Sequence, residues 1–303
     1  MSRRRGGADA PGGVLPVDKP VGPTSHDAVA RVRRALNTRQ VGHTGTLDPF
    51  ASGLLLVCVG SATRLAEYLT GLPKTYVATM RLGEATDTDD LTGEVISTSD
   101  AWGSSVSPDA IEAALRAQVG TIQQLPPAYS AKKVDGERMY AAARRGEEVA
   151  RTAVPVTIYS IRVIHIALPD VEFEVECGAG TYIRAIARDV GDALGVGGHL
   201  RALRRTRAGS HSVDRAVLLD DLGDAERVRA AMLSPLEAVS HLPRVMVDAD
   251  GIAALRFGRA VPAAEDTPED VPVALASAEG ELLGIGERAG DVVQPRKVFV
   301  AQG

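Results

Sequence analysis

Cysteine, aromatic residues and long apolar runs are all scarce in this chain of 303 residues, of which only 4% are aromatic. Its two cysteines, Cys58 and Cys177, are too few for a disulfide framework or a cysteine-rich zinc site, which favours a reducing, cytoplasmic location. The longest apolar run, Leu54 to Val59, is too short to cross a bilayer, so we expect no membrane contact. The scattered histidines form no metal-ligand spacing and no cofactor fingerprint occurs, so we expect no metal.

An excess of positive charge is also missing, because 34 Lys and Arg stand against 39 Asp and Glu, a formal net charge of −5. That sum argues against a nucleic-acid partner, but the charges are unevenly distributed. Residues 1–40 hold eight basic and three acidic residues, and residues 181–210 hold six basic and two acidic residues. Residues 84–112 hold eight acidic residues and no basic one, and residues 243–303 hold ten acidic and six basic residues. The two basic segments predict a phosphate-binding surface, unless they are ordinary solvated faces.

Strands and helices alternate irregularly along the chain, which favours a mixed α/β or α+β fold over a doubly wound parallel sheet. Apolar periodicity predicts helices at 25–36, 62–69, 108–119 and 181–194, the first capped by Ser25 or Thr24 and the last by Thr181. It predicts strands at 54–60, 74–82, 154–166 and 171–177, and a further strand after Leu203. The segment 126–149 reads as an extended loop that becomes a basic helix ending at Gly146.

The ends of the chain differ from its middle. Residues 1–12 are basic and glycine-rich, which is typical of a loose tail rather than of a signal peptide. After Leu242 short strand-like segments alternate with Gly and Pro, which indicates a small β-rich domain. We therefore predict a large domain at 13–242 and a small one at 243–303.

Asp48 is the first candidate for chemistry. It lies in the loop GHTGTLDPFASG (42–53), directly before Pro49, which favours an extended backbone at Asp48. The glycines permit tight turns, and an apolar strand follows at once. A carboxylate held in this way can act as a nucleophile or a base, and the alternative is an aspartate that caps its own turn.

A second candidate is the segment GTYIRAIARD (180–189), in which a glycine turn leads into a helix. Tyr182 and Arg184 fall in the first helical turn, and Arg184 and Arg188 share a face because they are four residues apart. An arginine can orient a carboxylate through two bonds and keep it ionised. An ordinary surface ion pair is the alternative.

Tyr76 is the third candidate, at the start of the predicted strand KTYVATMRLG (74–83). A tyrosine there can stack on a base or act near a proton in transit, and the alternative is half-buried packing.

Together these segments resemble the TruB type of bacterial tRNA pseudouridine synthase, which modifies uridine 55 in the T-loop. The resemblance runs nearly continuously over residues 13–215, and GHTGTLDPFASG with GTYIRAIARD is its most specific part. It implies the pseudouridine synthase fold, in which helices flank a mixed, largely antiparallel sheet. It also implies a small PUA-like domain at the C-terminus, which the acidic residues 243–303 match only loosely.

The resemblance also implies roles for individual residues. Asp48 resembles the catalytic aspartate that attacks a flipped-out uridine, with Arg184 paired to it. The residues that resemble the family's substrate-binding residues are His43, against the T-loop, Tyr76, on the flipped base, and Tyr182, Arg184 and Leu203, around the uracil pocket. No cofactor is implied, because an isomerisation exchanges no group with another molecule.

The partner that the resemblance implies is tRNA, through its T-loop and stem. The insert at 126–151 resembles the segment that closes over the RNA, and we expect a monomer with no obligatory protein partner and no membrane. Two alternatives remain open: a non-catalytic module that binds or folds tRNA, and a synthase that acts on another RNA, as the related guide-RNA-dependent enzymes do.

Overall fold

A computed structural model describes residues 12–100, 106–128, 133–134, 137–138 and 151–300. Its helices are α1 (Ser25–Ala35), α2 (Ala66–Thr70), α3 (Pro108–Arg116), α4 (Ile183–Ala193), α5 (Ala225–Ala231), α6 (Pro235–Ala238) and α7 (Ala249–Arg256). Its strands are β1 (Gly13–Lys19), β2 (Val41–Thr44), β3 (Ser52–Val59), β4 (Lys74–Leu82), β5 (Glu84–Thr86), β6 (Val95–Thr98), β7 (Gly120–Gln124), β8 (Lys133–Val134), β9 (Glu137–Arg138), β10 (Val154–Ala167), β11 (Asp170–Cys177), β12 (Gly198–Ala208), β13 (His211–Ser212), β14 (Val217–Leu218), β15 (Arg244–Met246), β16 (Val261–Pro262), β17 (Pro272–Ala276), β18 (Leu282–Ala289) and β19 (Val292–Val298). Short 3₁₀ helices occupy Gly60–Leu65, Val213–Arg215 and Leu219–Gly223.

Contacts within the chain divide it into two compact units. The first comprises the segments up to Leu47, Leu55–Thr70 and the residues from Val213 onward. The second comprises Asp48–Leu54 and Gly71–Ser212. Five of the six residues that the resemblance singles out belong to the second unit, and His43 belongs to the first.

The second unit is built on a mixed sheet in which β12, β4, β11, β10 and β7 follow one another as antiparallel neighbours. The start of β3 pairs with β12 in parallel, where Ser52 lies opposite Arg204. Helix α4 packs on β12 and β4, and α3 packs on α4 and β10. The predicted fold, a mixed and largely antiparallel sheet flanked by helices, is therefore confirmed.

The strand and helix patterns of this unit follow from its sequence. Along β11 the residues Val171, Phe173, Val175 and Cys177 are buried, as their alternation with glutamates predicts. Along α4 the residues spaced three and four apart are buried in the same way, and they are Ile183, Ile186, Ala187 and Val190. The burial of α4 against the sheet fixes which of its other side chains can reach the loop that holds Asp48.

The first unit contains β1 between β14 and the later part of β3, with β2 on β3 as an antiparallel neighbour. Helix α1 begins at a capping box, in which Thr24 accepts from the backbone of Asp27 and Asp27 accepts from the backbone of Thr24. The predicted cap of this helix is thereby confirmed.

The C-terminal residues form a sheet of their own with the strand order β15, β17, β18, β19 and β16. Its core consists of aliphatic side chains from the same segment, including Val245, Leu255, Val273, Leu275 and Val293. The predicted β-rich character of the C-terminal region is confirmed, and the boundary at residue 243 stays a prediction.

Some local predictions were wrong. The segment 42–53 is not loop throughout, because Val41–Thr44 pairs with β3. Thr181 does not cap α4; its hydroxyl donates to the main-chain oxygen of Gly178, and α4 begins at Ile183. Strand β12 begins at Gly198 rather than after Leu203, because Leu82 lies opposite Gly198 and extends the pairing.

Two predictions fall outside the described residues. They are the tail, of which only residue 12 is described, and the basic helix ending at Gly146. Among the described helices none combines the length and apolarity needed to span a bilayer.

Candidate active site

Asp48 lies in the loop between β2 and β3, where the amide of Ala51 donates to its main-chain oxygen at 3.1 Å and closes a turn. Its side chain is 37% exposed, so that a ligand can reach the carboxylate. Gly53 fixes the chain just after this loop: its φ is +102°, and a Cβ there would lie 2.2 Å from the main-chain oxygen of Arg205. Only glycine fits this close approach of β3 to β12, five residues after Asp48.

Arg184 is the partner of Asp48. Its Nε lies 3.1 Å from Oδ2 of Asp48, although the side chain of Arg184 is only 6% exposed. Its Nη1 donates to Oδ2 of Asp90 and to the main-chain oxygen of Thr88, each at 3.0 Å. The buried guanidinium therefore binds Asp90 through Nη1 and contacts Asp48 through Nε. The attraction between the guanidinium and Asp48 favours the negative form of the carboxylate.

Asp90 was not among the residues predicted from the sequence. Its side chain is 5% exposed, and its Oδ1 accepts from the hydroxyl of Thr88 and the amide of Thr92, each at 2.9 Å. These local bonds fix the side chain of Asp90 within the loop between β5 and β6. The run of Thr and Asp indicates such a turn, but nothing in its spacing points to Arg184, which lies 94 residues further along the chain.

Tyr76, Leu203 and Arg205 share one face of the sheet. Tyr76 lies opposite Arg205 and Ala78 lies opposite Leu203 in the β4–β12 pair, so alternate residues of both strands point to the same side. Burial raises the pKa of the Tyr76 hydroxyl, the charge of Arg205 opposes that rise, and the Asp48 carboxylate adds to it. The hydroxyl is therefore protonated at neutral pH, within electrostatic reach of Asp48.

Arg205 is a second residue that the sequence prediction missed. It is only 2% exposed, and its Nε donates to the main-chain oxygen of Leu54 at 2.6 Å. Burial lowers the pKa of the neighbouring Lys74 to about 8, and the charge of Arg205 contributes to that fall. In sequence nothing distinguishes Arg205 from the other arginines of this segment, and only the pairing of β12 with two strands shows that it faces inward.

Tyr182 immediately precedes α4, and Gln124 binds its main chain. One turn beyond Arg184, Arg188 donates to Oδ2 of Asp89 at 2.8 Å, so the two arginines do share a face, as predicted. Burial raises the pKa of Asp89, and Arg188 and Arg184 oppose that rise. Two adjacent Asp–Arg pairs thus tie the loop between β5 and β6 to α4.

His43 lies in β2 opposite Val57, in the first unit. Its ring meets that of His26 edge-on, with the ring centres 5.6 Å apart. The second unit thus brings together Asp48, Arg184 and Tyr76, with Leu203 on the same sheet face as Tyr76. The catalytic and binding roles of these residues, and that of His43, stay predictions.

The site offers a carboxylate that solvent can reach, a buried guanidinium 3.1 Å from it, and a protonated tyrosine. A carboxylate in this setting is a competent nucleophile without help from a metal ion. Within the part of the chain that the structure describes, no three His, Cys, Asp or Glu side chains gather as a metal site would require.

Comparison with known proteins decides the family. Residues 33–183 match the TruB family pseudouridylate synthase (N terminal domain), residues 184–240 the tRNA pseudouridylate synthase B C-terminal domain, and residues 243–299 the pseudouridine synthase II TruB C-terminal domain. A curated relative from Arthrobacter sp. (strain FB24), named tRNA pseudouridine synthase B, is 46% identical over 95% of this chain and 96% of its own. The chain belongs to the TruB family. A relative of the same name from Burkholderia lata is 44% identical over 95% of this chain and 90% of its own.

Two solved structures are similar over nearly the whole chain. A chain of a Cbf5–Nop10–Gar1 complex is similar with a TM-score of 0.76 and 33% identity, over 96% of this chain and 85% of its own. A chain of an H/ACA ribonucleoprotein bound to a substrate RNA containing 2′-deoxyuridine is similar with a TM-score of 0.74 and 30% identity, over 96% of this chain and 86% of its own.

Proposed function

We propose that this protein converts uridine 55 in the T-loop of tRNA to pseudouridine and is thus an isomerase. The observation that carries the proposal is the contact of 3.1 Å between Asp48 and the buried Arg184, in a loop that leaves the carboxylate accessible. The name that curated members of the TruB family share, tRNA pseudouridine synthase B, supports the substrate.

The proposed reaction breaks the bond between C1′ and N1 of the target uridine and joins C1′ to C5. The proton on C5 is lost and N1 gains one, so no electrons and no group pass to another molecule. Asp48 attacks the ribose or the base while the glycosidic bond breaks, which splits one difficult step into easier ones. We therefore propose that no cofactor takes part.

The other site residues serve this step. Arg184, held by Asp90, orients Asp48 and stabilises its charge, and Tyr76 packs on the uracil and lies near the C5 proton. Leu203 and Tyr182 line the uracil pocket. The target base must leave its stack before any of these groups can reach it, which costs less in a loop than in a duplex.

We propose that exposed arginines contact the RNA backbone. Of the six arginines in 181–210, Arg184 and Arg205 are buried and Arg188 is bound to Asp89, so these three do not face phosphate. Arg204 is half-buried, which leaves exposed Arg207 and Arg201 on β12, the latter also paired with Asp170, and Arg33, Arg34 and Arg39 in the first unit. We propose that these residues, with the insert at 126–151, contact the T-loop and stem, that His43 lies against the T-loop, and that binding weakens as salt rises.

The remaining parts of the proposal concern the whole chain. We propose a catalytic domain at 13–242 and a PUA-like domain at 243–303, in a cytoplasmic monomer that needs no protein partner. The C-terminal sheet, with a core of its own, supports that division.

Unmodified tRNA transcript that carries tritium at C5 of uracil tests the proposal. The protein is expected to release tritium, and a transcript in which cytidine replaces uridine 55 is the control that loses the release. Tight binding without release would contradict the proposal and favour a tRNA-folding module. Release that persists with the control transcript would contradict the assignment of uridine 55.

A further inference from the structure

The end of β7 is fastened to the main chain just before α4 by one buried side chain. Gln124 has no solvent exposure, and its Oε1 accepts from the amide of Tyr182 at 2.8 Å. Its Nε2 donates to the main-chain oxygen of the same Tyr182 at 3.1 Å. The amide group thus binds Tyr182 in the manner of a neighbouring strand, although Tyr182 belongs to none.

A second bond reinforces this attachment one residue later. Arg188 Nη2 donates to the main-chain oxygen of Leu125 at 2.9 Å, while its Nη1 donates to Asp89. Gln124 at the end of β7 and Leu125 just after it therefore bind the residue before α4 and the middle of α4, on both sides of Arg184.

We propose that Gln124 is a positioning residue, which sets the place of Tyr182 and thereby the shape of the uracil pocket. This inference rests on the proposed function. A buried amide is costly unless its hydrogen bonds are made, and an aliphatic residue would fill the same space. Gln124 uses both ends of its amide on one residue, and that residue lines the proposed pocket and adjoins the helix that carries Arg184.

A double-mutant cycle tests the proposal with Gln124→Met, Tyr182→Ala and the combined variant. The readout is the single-turnover rate constant of tritium release with enzyme in excess, measured beside the dissociation constant for tRNA. Gln124→Met is expected to lower the rate constant at least about tenfold, since small misplacements of positioning groups are costly, and to leave tRNA affinity unchanged. In the Tyr182→Ala background the same change is expected to cost little, because the group that it positions is gone.

The chain offers a matched control at the neighbouring position. Gln123 lies on the same strand with its side chain exposed, so Gln123→Met is expected to keep the wild-type rate. If Gln124→Met melts below the assay temperature, Gln124→Asn replaces it, because the shorter side chain keeps the amide but cannot reach both atoms of Tyr182.

Two results would overturn the inference alone: a wild-type rate in the Gln124 variant, or equal fold-losses in the wild-type and Tyr182→Ala backgrounds. The second result would show a general structural role for Gln124. A wild-type protein that releases no tritium would overturn the proposed function, and the inference with it.

Discussion

The Nε atom of Arg184 lies 3.1 Å from Oδ2 of Asp48, and the two residues reach each other from different parts of the second unit. Arg184 comes from a helix packed on the sheet, and Asp48 from the turn before β3. The arginine is buried and the carboxylate is open to a ligand, so a ligand reaches the pair from the side of the carboxylate.

Asp90 should matter for catalysis although it does not touch Asp48. Asp90→Asn removes the negative charge that binds Nη1 of Arg184, so Arg184 is less well positioned beside Asp48. We therefore expect the rate constant of tritium release to fall on the order of a hundredfold. Binding of tRNA should persist. Because a charged hydrogen bond inside the protein is weakened, we also expect a loss of about 1.5–3 kcal/mol in the free energy of unfolding.

Asp87→Asn is the matched control in the same loop. Asp87 accepts from the amide of Glu94, a bond that the asparagine oxygen can keep. A rate constant that falls equally in both variants would contradict the role of Asp90 and point to a general effect on the loop.

Gly53 should tolerate no side chain. Gly53→Ala places a Cβ against the backbone of Arg205 at a positive φ, so we expect a loss of at least about 2 kcal/mol in the free energy of unfolding. Gly71→Ala is the control, since a Cβ at Gly71 meets nothing within 4 Å. Denaturant titration of both variants measures the difference, and equal stabilities would show that β3 and β12 do not approach as described.

Lys74 should make stability depend on pH above neutrality. Its pKa is about 8 in the folded protein against 10.5 for an unperturbed lysine. Between these values the unfolded chain binds more protons at this residue, so the free energy of unfolding rises with pH. Relative to Lys74→Met, the wild-type protein should therefore gain stability on the order of 3 kcal/mol across this range and show a constant difference below pH 8. A difference that stays flat from pH 7 to 10.5 would contradict the burial of a charged Lys74.

Asp48 and Arg184 could be predicted from the sequence, whereas the residues that hold the site in place could not, for a physical reason. Asp48 and Arg184 lie in short segments whose glycine turns and helical spacing are local features. Asp90, Gln124 and Arg205 act through tertiary contacts: Gln124 meets Tyr182 58 residues away, and Asp90 meets Arg184 94 residues away. No local period encodes such distances.

The surface charge, too, could be predicted only in part from the sequence. The net charge of −5 hides two basic segments, as the sequence shows. The structure then turns Arg184, Arg188 and Arg205 of the second basic segment inward, toward Asp48, Asp89 and the main chain of β3. A charge count therefore overstates the surface that is left for RNA phosphate.

The central claim is that the Asp48 carboxylate performs the chemistry, and Asp48→Asn tests it most directly. Asp192, exposed on α4, supplies the control variant Asp192→Asn. With unmodified tRNA labelled at uracil C5, the account predicts tritium release by the wild-type and Asp192→Asn proteins, and none by Asp48→Asn, which still binds tRNA. Release by Asp48→Asn at the wild-type rate would contradict it.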